Sequence, residues 1–252
     1  PECELEAFVH GAMCISYSGR CLLSNYMAGR DANKGECAHP CRWKYALVEE
    51  KRPGQYFPIY ENERGTFILN SKDLCMINHI DKVIEAGIYS LKIEGRVKSA
   101  YYVATVTKAY REAIDAYYEN PKNFVADPSW MEELLKVSHR EYSTGFYLGE
   151  RGSQVYGTSS YIRDYDIVGV VLDYDEKTKI ATIEQRNRFF KGDEVEIIQP
   201  GVKGYYKQII REMKNENDED IDSAPHPQMI LKIPVDIPLI KDSIIRKGKI
   251  NE

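Results

Sequence analysis

Cys14, Cys21, Cys37 and Cys41 crowd into one stretch near the start of the chain, "CISYSGRCLLSNYMAGRDANKGECAHPC", and Cys75 follows. The spacings are C-x6-C, then 15 residues to Cys37, three to Cys41 and 33 to Cys75. A zinc ribbon normally presents two tight C-x2–4-C knuckles, and only Cys37 with Cys41 comes near that pattern. A catalytic thiol needs one activated cysteine beside a base, which leaves the neighbouring thiols without a task. A four-thiolate [4Fe–4S] site tolerates irregular spacing, because a compact cluster collects ligands from several loops. Spacing alone ranks an iron–sulfur cluster first, zinc second, and unliganded or redox thiols third. Cys3 is read as structural or exposed, with no role.

Two short stretches add groups for acid–base work. In "ELEAFVH" (4–10) the residues Glu4, Glu6, Phe8 and His10 share one face of a strand, opposite Leu5, Ala7 and Val9. His10 ends that strand, where α/β-barrel enzymes place catalytic groups; the plainer reading is a hydrogen-bonded structural histidine. In "LKIEGRVKS" Glu94 is a candidate acid/base and Arg96 a planar clamp for a carboxylate or phosphate. The plainer reading there is a Lys92–Glu94 or Glu94–Arg96 structural pair.

These residues need elements to hold them. "GTFILN" (65–70) reads as a strand, and "SKDLCMINHIDKVIEAG" as a helix with Ser71 as N-cap, Gly87 as its stop and Cys75 on it. On that helix Cys75 between Leu74 and Met76 is also readable as a small core thiol. "IYSLKIEG" (88–95) is a strand, and a helix from Ser99 to Glu119 aligns Val103, Val106, Tyr110, Ile114 and Tyr117 before Pro121. Alternating strands and helices predict an α/β unit with parallel strands.

From about Tyr165 six short β-rich runs separated by turn signals predict a small all-β barrel. The acidic run 215–223 is a solvated hairpin loop, and "SHREYSTGFYLGERGSQVYGTSS" before the barrel is a linker or lid. "RNRFFKG" (186–192) and "KGYYKQIIR" (203–211) interleave cations with aromatics, the composition of base stacking and phosphate contact, although small barrels also use such aromatics as core.

The 252 residues suffice for one large or two ordinary domains, and 43% hydrophobic with 29% charged residues fits a globular protein. No apolar run approaches the roughly 20 residues of a membrane span. The start has neither a basic n-region nor an apolar h-region, so no signal peptide and a cytoplasmic location are expected. Thiols stay reduced there, which turns the cysteines away from disulfides. The net charge of −5 argues weakly against a nucleic-acid coat but allows a local basic face. A strand this close to Pro1 suggests a piece of something longer.

The stretches "ExFxHGxMCxxYSGRCxLS", "GRDANKGECAHPCRW" and "SLKIEGRVKSAYYVA" resemble the peptidase U-32 family, also called collagenase-like proteases. The resemblance covers the whole chain. It implies the C-terminal part of a TIM-type barrel over 1–160 and the family's C-terminal β-barrel over 165–252. It also implies a [4Fe–4S] cluster on Cys14, Cys21, Cys37 and Cys75, with the seat of Cys41 open and Cys41 able to replace Cys37. The implied activity is hydroxylation of the tRNA wobble uridine at C5, with prephenate as a candidate co-substrate. Arg20 and Arg30, beside Asp31 and Asn33 between the cysteines, then suit an anionic ligand, and Arg186, Arg188 and Lys191 suit RNA. The family's older name implies a metal-dependent peptidase instead, but no G-x-S-x-G elbow or H-E-x-x-H helix is present. A third reading is a non-catalytic scaffold that pairs with a sister subunit.

Overall fold

The computed structural model describes residues 3–14, 16, 20–43, 53–54, 71–149 and 161–249, with the backbone of short strands at 46–47 and 57–58. The expected strand at 65–70 and residues 150–160 of the expected linker lie outside them. The chain divides into two compact units. The first draws on 1–103, 116–127 and 138–162; the second on 104–115, 128–137 and 163–252.

The first unit holds strands β1 (Glu6–Ala12), β2 (Ala46–Leu47), β3 (Phe57–Pro58), β4 (Asp73–Cys75), β5 (Ser90–Ile93) and β6 (Tyr142–Ser143). Its helices are α1 (Leu23–Ala28) and α2 (Ile80–Glu85), with both ends of α3 (Ala100–Glu119). The main sheet runs β5-β1-β4-β6. β1 pairs with β5, and β4 with β6, in parallel, whereas β1 and β4 are antiparallel. The α/β character and the parallel β1/β5 pair match expectation. The all-parallel order of a TIM-type barrel is not what these four strands present.

The expected helix from Ser71 is corrected. Asp73, Leu74 and Cys75 form a strand, a 3-10 turn covers Ile77–His79, and α2 starts only at Ile80. All three residues of β4 are buried and pair with Ala12, Gly11 and His10. Such tertiary pairing outweighs weak local helix propensity. Gly87 does end the segment, at φ 80. In α3 the Ser99 side chain accepts the Tyr102 N–H at 3.2 Å, as an N-cap should. Its buried stripe is Tyr102, Val106, Ala109, Tyr110, Ala113 and Tyr117, while Val103 faces solvent. Small alanines occupy the face that the aliphatic spacing had assigned to Val103 and Ile114.

The second unit holds α4 (Pro128–Leu135) and strands β7 (Tyr165–Asp175), β8 (Ile180–Gln185), β9 (Phe189–Phe190), β10 (Glu194–Ile198) and β11 (Tyr206–Ile209). It continues with β12 (Lys214–Asn215), β13 (Ser223–Ala224), β14 (Ile230–Pro234) and β15 (Ile244–Gly248). All six expected strands are present. Instead of a closed barrel they build, together with the short β12, a seven-stranded antiparallel sheet, β11-β10-β15-β7-β8-β14-β12. The sheet is curled: Gln208 on β11 donates its side-chain N–H to the Pro234 carbonyl of β14, 3.0 Å away. Val168, Val171, Ile183, Val195, Ile197, Leu231 and Ile245 fill its inner face. The acidic run is a loop organised by Asn215, whose side-chain oxygen accepts the N–H groups of Asn217 and Glu219. No helix among the described residues is long and apolar enough to cross a membrane.

A charge network joins α4 to this sheet. Arg246, fully buried on β15, donates to Glu196 (2.8 Å) and to Glu133 of α4 (2.6 Å). Lys136 bridges the same two carboxylates at 2.9 and 3.0 Å. Truncating one partner of a buried pair leaves an uncompensated charge and costs about 3–5 kcal/mol. Arg246→Met should therefore destabilise the second unit by that amount. The chain has two tryptophans, and Trp130 in α4 is buried, so a Trp43→Phe background isolates the signal of this unit during urea unfolding. A loss below about 1 kcal/mol would mean that the network adds nothing over an apolar contact.

Candidate functional site

The first unit is organised around Asp73, a buried carboxylate at the start of β4. Arg42 Nη1 donates to Asp73 Oδ1 at 2.7 Å, with both side chains almost wholly buried. Arg42 Nη2 donates to the Met13 carbonyl at 2.7 Å, and the Arg140 N–H donates to Asp73 Oδ2 at 3.1 Å. Arg140 Nη2 returns to the Arg42 carbonyl at 3.1 Å. Burial works to raise the pKa of Asp73, but the charge and hydrogen bond of Arg42, helped by the Arg140 N–H, hold it below the usual carboxylate range. Burial likewise opposes the charge on Arg42, and Asp73 more than offsets it. One ion pair thus ties together the residues adjoining Cys14 and Cys41, two positions from Cys75.

Between those anchors the thiol loop is built from short turns. Ser24 of α1 is buried and its Oγ accepts the Ala38 N–H at 2.9 Å. Asp31 caps the next turn by accepting the Asn33 N–H. His39 takes a left-handed backbone, φ 53, and donates its N–H to Cys37 Sγ at 3.4 Å. None of the six cysteines is in a disulfide. Burial pushes the Cys41 thiol up; Arg42 pulls it down, and the nearby thiols of Cys14, Cys37 and Cys21 push it up again. Cys41 therefore lies within electrostatic reach of the other three loop thiols.

Cys75 is elsewhere. It is buried, paired across the sheet with His10, and it adds to burial in raising the pKa of Tyr102 and Tyr142. His10 lies four residues before Cys14, about 13 Å of extended chain. Among the described residues no three His, Cys, Asp or Glu side chains stand at metal-ligating geometry. The donor set itself suits a thiolate-rich centre: four thiols on one loop, a backbone N–H on a sulfur, and a guanidinium beside them.

His10 does not end its strand, because β1 continues to Ala12 through pairing with β4, and Glu94, just past β5, meets it there. Glu94 donates its backbone N–H to the His10 carbonyl at 2.9 Å. Gly11 permits this approach, since a Cβ there would lie 2.5 Å from the Glu94 carbonyl oxygen. Glu94 Oε1 accepts the Arg96 N–H, and Lys92 pairs with Glu6 at 2.6 Å rather than with Glu94. The Arg96 stem lies against Gly35, so Arg96 reaches the thiol loop. The His10 ring sits 6.0 Å from that of Tyr102 and 5.3 Å from Tyr142, which stacks on His139 at 4.6 Å. Burial holds His10 neutral, its pKa lowered to about 3 despite the pull of Asp73. His39 falls to about 4 through burial, then Arg42 and Lys98, with Glu94 and Asp73 acting the other way.

Arg42, Asp73, His39, His139 and Tyr142 escaped the sequence reading. A lone acid inside the apolar run "DLCMI" was the available signal for Asp73, hidden by taking that run as helix. Arg186, Arg188 and Lys191 lie in the second unit, exposed. Arg186 pairs with Glu184 at 2.6 Å, and Arg188 covers the Phe190 ring at 4.8 Å. In the other basic–aromatic run the Tyr205 ring is already faced by Lys136 at 3.9 Å and by Arg246 at 5.4 Å.

Two measurements probe this arrangement. Arg42→Met strands the Asp73 charge and should cost about 3–5 kcal/mol. It is read as lost hydrogen-exchange protection at the Met76 N–H, which bonds Val9 O; unchanged protection would remove the pair from its organising place. Between pH about 6.5 and about 3 the unfolded chain binds a proton at His10 that the folded chain refuses. Stability is complete above that window and falls as pH drops through it, by about 1.4 kcal/mol per pH unit. His10→Asn should flatten the dependence by one proton, and an unaltered slope would assign it to other groups.

Residues 2–156 match the family model "Peptidase family U32", and 163–246 match "Peptidase family U32 C-terminal domain". The chain is 45% identical over 248 residues to "tRNA hydroxylation protein P1" of Bacillus subtilis, covering 98% of this chain and 58% of that protein. It is 34% identical over 278 residues to "tRNA hydroxylation protein P" of Escherichia coli, covering 93% and 60%. A "Collagenase" of Porphyromonas gingivalis is 35% identical over 235 residues, covering 92% and 55%. Among solved structures, the C-terminal domain of a Geobacillus thermoleovorans U32 peptidase is similar at 40% identity and TM-score 0.31, covering 32% of this chain and 99% of that one. The chain spans somewhat over half the length of the curated relatives it matches, and it belongs to peptidase family U32.

Proposed function

We propose that the chain is the thiol-bearing part of a tRNA-hydroxylating U32 enzyme that acts on the wobble uridine at C5. The observation that carries this reading is the loop of four neighbouring thiols, clamped at both ends by the buried Arg42–Asp73 pair, in a chain so similar to tRNA hydroxylation proteins. In this reading β1, β5 and the helices belong to the later part of a TIM-type barrel, and the cytoplasm is the place of work.

Cys14, Cys21 and Cys37 would hold a [4Fe–4S] cluster. The family resemblance nominates Cys75 as fourth ligand, and proximity nominates Cys41. When bound, such a cluster supplies electron-transfer chemistry; zinc on the same thiols would be a structural pin. His10, held neutral by burial, would orient a group by a hydrogen bond from its ring rather than take up a proton. Glu94 would serve as the acid/base, and Arg96 would hold the carboxylate of prephenate or a phosphate. Arg186, Arg188 and Lys191 would neutralise RNA phosphates from the second unit. A sister subunit of the same family is a candidate partner.

The test is anaerobic purification of the intact protein, with iron and sulfide analysis and mass spectrometry of tRNA nucleosides. The parent should hold about four irons per chain, and Cys14→Ala or Cys21→Ala should lose most of them while Cys3→Ala keeps them. Whichever of Cys41→Ala and Cys75→Ala loses iron identifies the fourth ligand. Cleavage of a collagen-like peptide by iron-free protein, with tRNA left unmodified, would replace this reading by the peptidase one.

A further inference from the structure

We infer that the exposed face of α1, next to Cys21, is a stacking platform for a single-stranded RNA nucleotide, with Tyr26 under the base and Arg20 and Arg30 on the flanking phosphates. This rests on the RNA reading above and deepens it by naming where the substrate strand is held. Ser24 forms the inner side of α1, bonded to Ala38. Leu22 and Tyr26, four residues apart and so on one face, are 71% and 88% exposed. Gly29 ends the helix at φ 64, and Arg30 follows it into solvent.

Single exposed apolar residues are ordinary on protein surfaces. Here the charges around the aromatic decide. Neither Arg20 nor Arg30 has an acidic partner among the described residues, whereas Asp31 is engaged by the Asn33 N–H and by Lys34 at 3.8 Å. An exposed aromatic on a short helix, with an exposed arginine before the helix and another after it in the chain, suits a base and its phosphates better than a purely apolar protein partner. Tyr205 gives the internal contrast: its ring has the same kind of neighbours, but Lys136 and Arg246 already cover it. Tyr26 keeps its ring open one helical turn from Leu22, itself adjacent to Cys21. A base stacked there would bring the neighbouring nucleotide to the thiol loop.

The experiment uses the intact protein and two fluorescein-labelled probes, a short oligouridylate and its abasic counterpart with the same phosphates. Tyr26→Ala should weaken oligouridylate binding about tenfold, leave the abasic probe unaffected and leave the salt dependence unchanged; Tyr26→Phe should bind like the parent. Arg30→Ala should weaken both probes and reduce the slope of log K against log salt by about 0.7. With Tyr26 so exposed, the thermal melts of parent and variant should coincide. If the parent binds oligouridylate and Tyr26→Ala binds it equally well, the platform is elsewhere while the RNA reading stands. If the parent binds neither this probe nor tRNA at any salt concentration, the RNA reading itself falls.

Discussion

A buried ion pair that crosses from a loop to a strand is the constraint on which the first unit depends. Arg42 and Asp73 are 31 residues apart in sequence, and the segment between them contributes only short β-pairing among its described residues. Bringing both charges out of water is costly, and their attraction repays it only when the remaining hydrogen-bonding groups are satisfied. Met13 O, the Arg140 N–H and the Arg42 carbonyl supply that satisfaction. The pair therefore fixes where the thiol loop begins and ends and where β4 enters the sheet. Deleting either charge leaves the other stranded, which is why its effect reaches beyond its own two residues.

The second unit applies the same logic with more members. Arg246, Glu196, Glu133 and Lys136 balance two positive against two negative charges at the seam of helix and sheet. Tyr165 and Tyr205 pack over the cations, which shields the network from water and strengthens each interaction within it. An apolar core alone would leave the placement of α4 loosely specified; directional hydrogen bonds to named carboxylates set it.

Much of the second unit was legible in the sequence. Alternating residues and turn signals specify strands locally, so all six runs were readable without knowing their partners. Closure was not legible, because it depends on how far the whole sheet coils. In the first unit the segment from Ser71 misled: a serine followed by helix-compatible apolar spacing carries a local signal that pairing with β1 overrules. The rule that a buried acid demands a partner could have exposed the error at Asp73, but the partner lies far away in sequence. His10, Glu94 and Arg96 were readable as a group because His10 lies late in β1 and the other two just follow β5, its parallel neighbour. The neighbourhood of Cys41 was not, since spacing says nothing about which loop turns toward which.

The curled sheet of the second unit has a mechanical consequence. Within each strand pair, ladders of backbone hydrogen bonds share a load, and many must break together for the strands to slide. Across the gap between β11 and β14 the described residues offer the single Gln208–Pro234 bond. A force applied along the strands meets the ladders in parallel, whereas a force prising the curl open meets that bond first. Opening it must also expose the apolar side chains of the inner face, so the ladders resist sliding by geometry while the curl is held mainly by the water it excludes.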